Sequence, residues 1–270
     1  MLKNKITSIA IGGFDGMHLA HQELFKKLDS NGALVVIESG YANLTPKTHR
    51  AKHIECPLYY YPLGDIKHLE PLEFIKLLNE EFPNLKKIVV GFDFKFGARA
   101  SGNIDTLKEH FDGSVEVVDE FTYKGEAIHS RVIREYLNKG DIKTASIYLN
   151  KNYIFEGRVI TGQGLGKKQF VPTLNLEIDE FLIPCSGIYA TYTILGDTKY
   201  LSATFIGHRV TTDGKFAVET HIIDEDIDQD HSKVQIEFIH KVRDNKKFDD
   251  YKELQNQILD DINQIKSNFR

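Results

Sequence analysis

Cysteine is nearly absent. The two present in 270 residues, Cys56 and Cys185, stand far apart at no metal-ligand spacing and read as reduced thiols. The run of ~20 apolar residues that a bilayer span requires is missing. The apolar stretch at residues 6–11 is too short for a secretory leader and runs into glycines. The cytoplasm is therefore the expected compartment. Excess positive charge is also lacking. The 34 Lys and Arg are outnumbered by 39 Asp and Glu, giving a net charge of −5 and a pI near 6.1. That balance argues against a bulk nucleic-acid binder and leaves room for a local basic pocket. No internal repeat or low-complexity tract interrupts the chain. The composition that remains, 41% hydrophobic and 27% charged, is that of an ordinary globular protein. Its length suits one large domain or two medium ones.

The first half alternates short apolar runs with amphipathic stretches. Strands are predicted at Ile9 and Ile11, at 33–38, 58–61, 86–90 and 115–118. Helices are predicted from about His18 to Asp29, over 71–82 behind Pro71, over 104–111 with Asn103 or Asp105 as cap, and over 131–137 and 142–149. Residues 40–56, with Pro46 and a cationic cluster from Lys47 to Lys52, read as loop. Such alternation predicts a mostly parallel sheet covered on both faces, with ligands at the carboxyl ends of its strands. Near residue 150 the texture changes. Six short β-type runs follow, at 153–160, 174–178, 188–195, 199–206, 215–223 and 233–239, and predict a small antiparallel barrel. A last helix over 249–268 carries the stripe Tyr251, Leu254, Ile258, Ile262, Ile265 and Phe269, with Phe248 placed to staple its start. The predicted domains are 1–150 and 151–270.

Several stretches carry chemistry. After the first strand, three glycines and two histidines (Gly12, Gly13, Gly16, His18, His21) form a turn that opens a helix. Free backbone N–H groups and two imidazoles there suit an anion such as a nucleotide phosphate; the plain alternative is a turn with surface histidines. Gly91-Phe-Asp-Phe-Lys-Phe-Gly97 follows a buried strand and either holds a planar ring or plugs the sheet edge. Ser130 caps a helix on which Arg131 and Arg134 share a face suited to a triphosphate, or are merely solvated. Between strands, the cationic loop 161–168 places Gly162, Gly164 and Gly166 as a flap over phosphates. Thr173 and Asn175 stand at i, i+2 behind Pro172, so on an extended segment both point one way. Their oxygens suit a hard cation such as Mg²⁺, or they simply begin a polar strand. Glu219 interrupts the apolar positions of an alternating strand, as a general base for an alcohol or as an outward carboxylate.

Taken in order, these segments resemble the prokaryotic bifunctional riboflavin kinase/FAD synthetase family over nearly the whole chain. The markers are IGGFDGMHLAHQ, GFDFKFG, HSRVIR, GDIKTA, the glycine loop before VPTLNL, SGIYA, VETHIID and VRDNKKF. The resemblance implies an N-terminal Rossmann-like nucleotidyltransferase domain and a C-terminal six-stranded antiparallel β-barrel with a terminal helix. The first would transfer AMP from ATP to FMN, and the second the ATP γ-phosphate to riboflavin. His18 and His21 match the family's paired histidines on the ATP phosphates, and Gly13, Phe14, Asp15 and Gly16 lie in the same loop. Gly91 and Asp93 match its second motif, and Ser130 and Arg134 its third. Thr173 and Asn175 match its Mg²⁺–ATP pair, and Glu219 its general base. Cofactors and substrates would be Mg²⁺, ATP, riboflavin, FMN and FAD; the partners are small molecules, with neither nucleic acid nor membrane. The departures fall mainly on the adenylyltransferase motifs. Ala20 stands between the histidines where the family has glycine, Ile37-Glu-Ser-Gly-Tyr41 replaces a Phe/Pro/His/Pro-type segment, Phe92 replaces an Asp, and His129-Ser130-Arg131 keeps one hydroxyl of three. They leave two alternatives: a riboflavin kinase with a weakened first site, and a flavin- or nucleotide-binding regulator without turnover.

Overall fold

The computed structural model describes residues 3–161, 171–211, 213–225 and 232–269. Contacts divide the chain into two compact units, Met1–Ser130 and Arg131–Arg270.

The first unit is a five-stranded parallel sheet in the order β3-β2-β1-β4-β5. Its strands are β1 (Ser8–Gly12), β2 (Gly32–Glu38), β3 (Leu58–Pro62), β4 (Lys87–Gly91) and β5 (Ser114–Val118). Alternation along the central strand feeds both faces. Ile9 and Ile11 join Val35, Ile88 and Val90 under α3 (Pro71–Glu81) and α4 (Ile104–His110), whose Phe74, Ile75, Leu78 and Leu107 complete that core. Ala10 points the other way, with Leu34, Val36 and Val89, and meets Phe14, Met17 and Leu24 of the turn and of α1 (Leu19–Phe25). The short α2 (Leu63–Ile66) and the small hairpin of β6 (Thr122–Tyr123) and β7 (Glu126–Ala127) carry too few residues for periodicity to reveal them. Asn103 is the cap of α4, its Oδ1 accepting the Thr106 N–H at 3.0 Å. Residues 40–56 are not all loop, since Lys47–His53 winds into 3₁₀ turns. α1 stops at Phe25, short of the expected Asp29, and the chain then bends at Asp29, which accepts the Thr7 hydroxyl at 2.8 Å.

In the second unit, α5 (Ser130–Lys139) enters from the last residue of the first, and α6 (Ile142–Leu149) packs on the strands that follow. Those strands are β8 (Ile154–Ile160), β9 (Leu174–Glu177), β10 (Gly187–Leu195), β11 (Thr198–His208), β12 (Phe216–Ile222) and β13 (Lys233–Arg243). They close in the order β10-β11-β12-β9-β8-β13, with every pairing antiparallel. Closure leaves no edge strand. Inside the barrel, five buried hydroxyls bond in a ring: Thr191 to Ser202 (2.8 Å), Ser202 to Thr193 (2.9 Å), Thr193 to Thr220 (3.0 Å), Thr220 to Thr204 (3.0 Å) and Thr204 to Thr191 (2.7 Å). A hydroxyl donates one proton and accepts others, so a closed ring leaves none of the five unsatisfied. The final helix, α7 (Tyr251–Phe269), lays Ile258, Ile262, Ile265 and Phe269 against Ala190, Leu201, Ala203 and Ile239. Tyr251, part of the expected stripe, is exposed. Asp250 caps the helix through the Lys252 and Glu253 N–H groups, and a bidentate Arg243–Asp261 pair ties it to β13.

Candidate functional site

The first unit's turn is built from the core outward. Phe14 and Met17 are both about 1% exposed and take positive φ, so the backbone folds back to sink both side chains under the sheet. Phe14 is thus an anchor. Its ring meets His21 edge-on at 5.3 Å and Phe25 at 5.2 Å. His18 precedes α1 and stacks on His21, ring centroids 3.5 Å apart and nearly parallel. Asp15 bonds within the fold: its carboxylate accepts the N–H groups of Leu44 and Thr45 at 2.9 Å and of Asn43 at 3.2 Å. Thr45 returns the contact by accepting the Gly16 N–H at 2.8 Å, and Ser130 donates its hydroxyl to the Asp15 carbonyl at 2.8 Å. Gly13, Asp15, Gly16, His18, His21 and Ser130 are therefore brought together, with residues 43–45 as their brace.

Arg50 was not singled out by sequence reasoning. It is fully buried and donates Nε to the Gly13 carbonyl at 3.1 Å and Nη1 to Glu38 at 2.5 Å. Glu38 ends β2, inside the segment that departs from the family pattern. The signal available was a lone arginine in the cationic cluster behind Pro46, and polar composition disguised it as loop.

Gly91 and Asp93 stand where β4 ends. A Cβ on Gly91 would lie 3.3 Å from Asp93 Oδ1, and Asp93 itself is exposed. The aromatic alternation divides by function. Phe94 and Phe96 stack at 5.5 Å and join the core with Phe74, whereas Phe92 stays exposed. Gly97 takes φ +73°, and a Cβ there would strike Pro71 at 2.9 Å. Arg134 lies one turn beyond Ser130 on α5, in the second unit.

In the barrel, the inward positions of β9 are Leu174 and Leu176, both buried, so Asn175 faces outward and Thr173 precedes it in phase. Antiparallel register sets Asn175 directly opposite Glu219 of β12 and beside Ile160 of β8. Directly opposed residues hold their Cβ atoms ~5 Å apart. The Glu219 carboxylate accepts Arg209 Nη1 at 3.1 Å. Burial pushes its carboxyl up from the ordinary range, and the Arg209 charge opposes that rise. His221, two residues on and in the same phase as Glu219, places Nδ1 2.8 Å from the Pro172 carbonyl and so anchors the segment carrying Thr173. A period-2 reading of residues 217–223 contains the signal for His221; nothing local contains the signal for Arg209. Gly162, Gly164 and Gly166 lie outside the described residues. Among the described residues no three His, Cys, Asp or Glu gather to hold a metal. The donors at Thr173 and Asn175 are neutral hard oxygens. They fit Mg²⁺ in the way it is held when phosphates and waters supply its other ligands. No helix among the described residues is long and apolar enough to cross a membrane.

The candidate residues thus fall in two modules, a parallel sheet whose glycine turn carries stacked histidines and a closed barrel whose neighbouring strands carry an amide and a largely covered carboxylate. Comparison with known proteins gives the family. Residues 149–269 match the riboflavin kinase family and residues 63–132 match FAD synthetase. The bifunctional riboflavin kinase/FMN adenylyltransferase of Haemophilus influenzae is 28% identical, covering 97% of this chain and 94% of its own. Those of Bacillus subtilis and Escherichia coli are each 26% identical over 94% of this chain, covering 89% and 90% of theirs. A crystal structure described as a macrolide-efflux protein from Streptococcus pneumoniae superposes with a TM-score of 0.83 at 26% identity, over 98% of this chain and 95% of that one. The chain belongs to the bifunctional riboflavin kinase/FAD synthetase family. The FAD synthetase match begins at Leu63, beyond the turn and the Arg50 brace.

Proposed function

We propose that the chain makes FMN from riboflavin on the barrel and FAD from FMN on the parallel-sheet unit. The observation that carries this reading is the register pair Asn175–Glu219. It sets a carboxylate base beside an oxygen donor for a phosphate-bound cation, which phosphoryl transfer requires. At the barrel, Glu219 takes the proton of the riboflavin 5′-hydroxyl. The hydroxyl oxygen bonds to the γ-phosphorus, and the bond from that phosphorus to the β–γ bridging oxygen breaks, ADP leaving with the electron pair. Thr173 and Asn175 would hold Mg²⁺, which when bound neutralises phosphate charge. On the first unit an FMN phosphate oxygen bonds to the α-phosphorus of ATP and pyrophosphate leaves. His18 and His21 face its phosphates from the turn, and Gly13 and Gly16 keep the backbone there free of side chains. Asp15, Phe14 and Ser130 shape that turn from behind. Gly91 and Asp93 close the neighbouring strand end.

The test is product analysis. Purified protein with Mg–ATP receives riboflavin, and separately FMN, and flavins are resolved by chromatography. FMN from the first and FAD from the second are expected. FMN without FAD would reduce the reading to a kinase with a silent first site, and retained flavin binding without any product would overturn it.

A further inference from the structure

The chemistry above uses Glu219 but not the hairpin that faces it. Between β11 and β12, Arg209 and residues 213–215 are tied together by backbone bonds of their own. The Arg209 N–H donates to the Lys215 carbonyl at 2.9 Å, and the Gly214 N–H to the Arg209 carbonyl at 3.1 Å. The Asn245 amide closes on the His208 carbonyl at 2.8 Å. An arginine in a hairpin turn ordinarily extends into water. This one is only 19% exposed, because it folds back along β12. Nη1 donates to Glu219 Oε1 and Nη2 to Asp213 Oδ2, each at 3.1 Å. Asp213 is fixed in turn, its Oδ1 accepting the Lys215 N–H at 3.1 Å. The guanidinium therefore bridges two carboxylates, one belonging to the turn and one to the base.

A fully exposed ion pair contributes little. All three side chains here are about four-fifths covered, and a planar guanidinium donating through both forks is directional as well as attractive. A glutamate side chain has three rotatable bonds, and a base is effective only within a narrow range of positions. Holding one carboxylate oxygen fixes where the other points.

We infer that Arg209 is the positioning residue of the phosphoryl-transfer site: it holds Glu219 by Oε1 so that Oε2 meets the riboflavin hydroxyl, and Asp213 keeps Arg209 on that task. Arg209 acts through Glu219 and touches no substrate. The inference rests on the riboflavin kinase reading.

Initial rates of FMN formation by the full chain test it, with wild type, Arg209→Ala, Arg209→Lys, Asp213→Asn and Glu219→Gln. Arg209→Ala should lower kcat by about 10²-fold and leave KM for ATP and for riboflavin within about threefold. Arg209→Lys should recover part of the loss. Millimolar guanidinium should raise the kcat of Arg209→Ala about tenfold and leave Glu219→Gln unmoved, a rescue that a merely structural arginine would not give. Asp213→Asn should lower kcat several-fold in wild type and add nothing to Arg209→Ala. Undiminished kcat in Arg209→Ala overturns the inference. So does a loss carried by KM for ATP, which would make Arg209 a phosphate ligand. If Arg209→Ala does not fold, Arg209→Lys decides by the same split between kcat and KM. A wild type that forms no FMN overturns the kinase reading itself, so the two failures are distinct.

Discussion

Glu219 shows how one position acquires a role. Its strand alternates, and by pattern alone it is an outward carboxylate. Pairing with β9 puts Asn175 opposite it, burial raises its carboxyl, and Arg209 restrains that rise. Glu219→Gln should abolish FMN formation, a drop of about 10²–10⁴-fold, while FAD formation from added FMN continues; separate chromatographic assays of the two steps read this directly. The pH dependence follows with a definite sign. A glutamate acting as base works ionised, and the folded-state pKa of Glu219 lies above the ordinary glutamate value. FMN formation should therefore fall as pH drops through a point higher than an exposed glutamate would give. A rate profile whose acid limb is unchanged in Glu219→Gln would contradict this. Asp15 is the contrasting residue. It lies in the turn as the motif requires, yet its carboxylate is spent on three backbone N–H groups of residues 43–45, so its contribution is the shape of the turn.

Among elements, periodicity located all five strands of the parallel sheet and all six of the barrel, because each buries one or both faces in regular phase. The element most dependent on long-range pairing is the barrel's polar interior. Thr191, Thr193, Ser202, Thr204 and Thr220 look like ordinary strand residues, and only closure of β10, β11 and β12 brings their hydroxyls into one ring. Thr204→Val keeps the shape and removes one member, leaving its neighbours short of a partner. Unfolding in denaturant should report a loss of about 1–3 kcal/mol. An unchanged midpoint would mean the ring contributes nothing net. The terminal helix divides in the same way. Its apolar stripe was legible from Ile258 to Phe269, but the buried Asp261 on it makes sense only once Arg243 is seen reaching across from β13.

For the whole molecule, each unit has its own core, so the two proposed activities should separate by mutation. Arg50→Met tests this from the first unit. It leaves Glu38 without its guanidinium and frees the Gly13 carbonyl. Removing one partner of a buried ion pair costs about 3–5 kcal/mol, and the turn carrying His18 and His21 loses its brace. FAD formation from FMN should fall by at least about tenfold, consistent with the leverage of positioning groups on rate, while FMN formation from riboflavin is retained. Loss of both activities would show that the units do not act independently.

The order of elements, the change from alternating α/β to all-β texture near residue 150, and the motifs that mark the family are local properties. Period, turn residues and spacing carry them, so they are readable before the chain is folded. Which residues meet is not a local property. Asn175 and Glu219 are opposed by strand register, Arg50 reaches Gly13 across 37 positions, and Arg209 turns back onto β12 through a hairpin. Each of these contacts depends on a pairing that closes only when distant segments bury their apolar faces together.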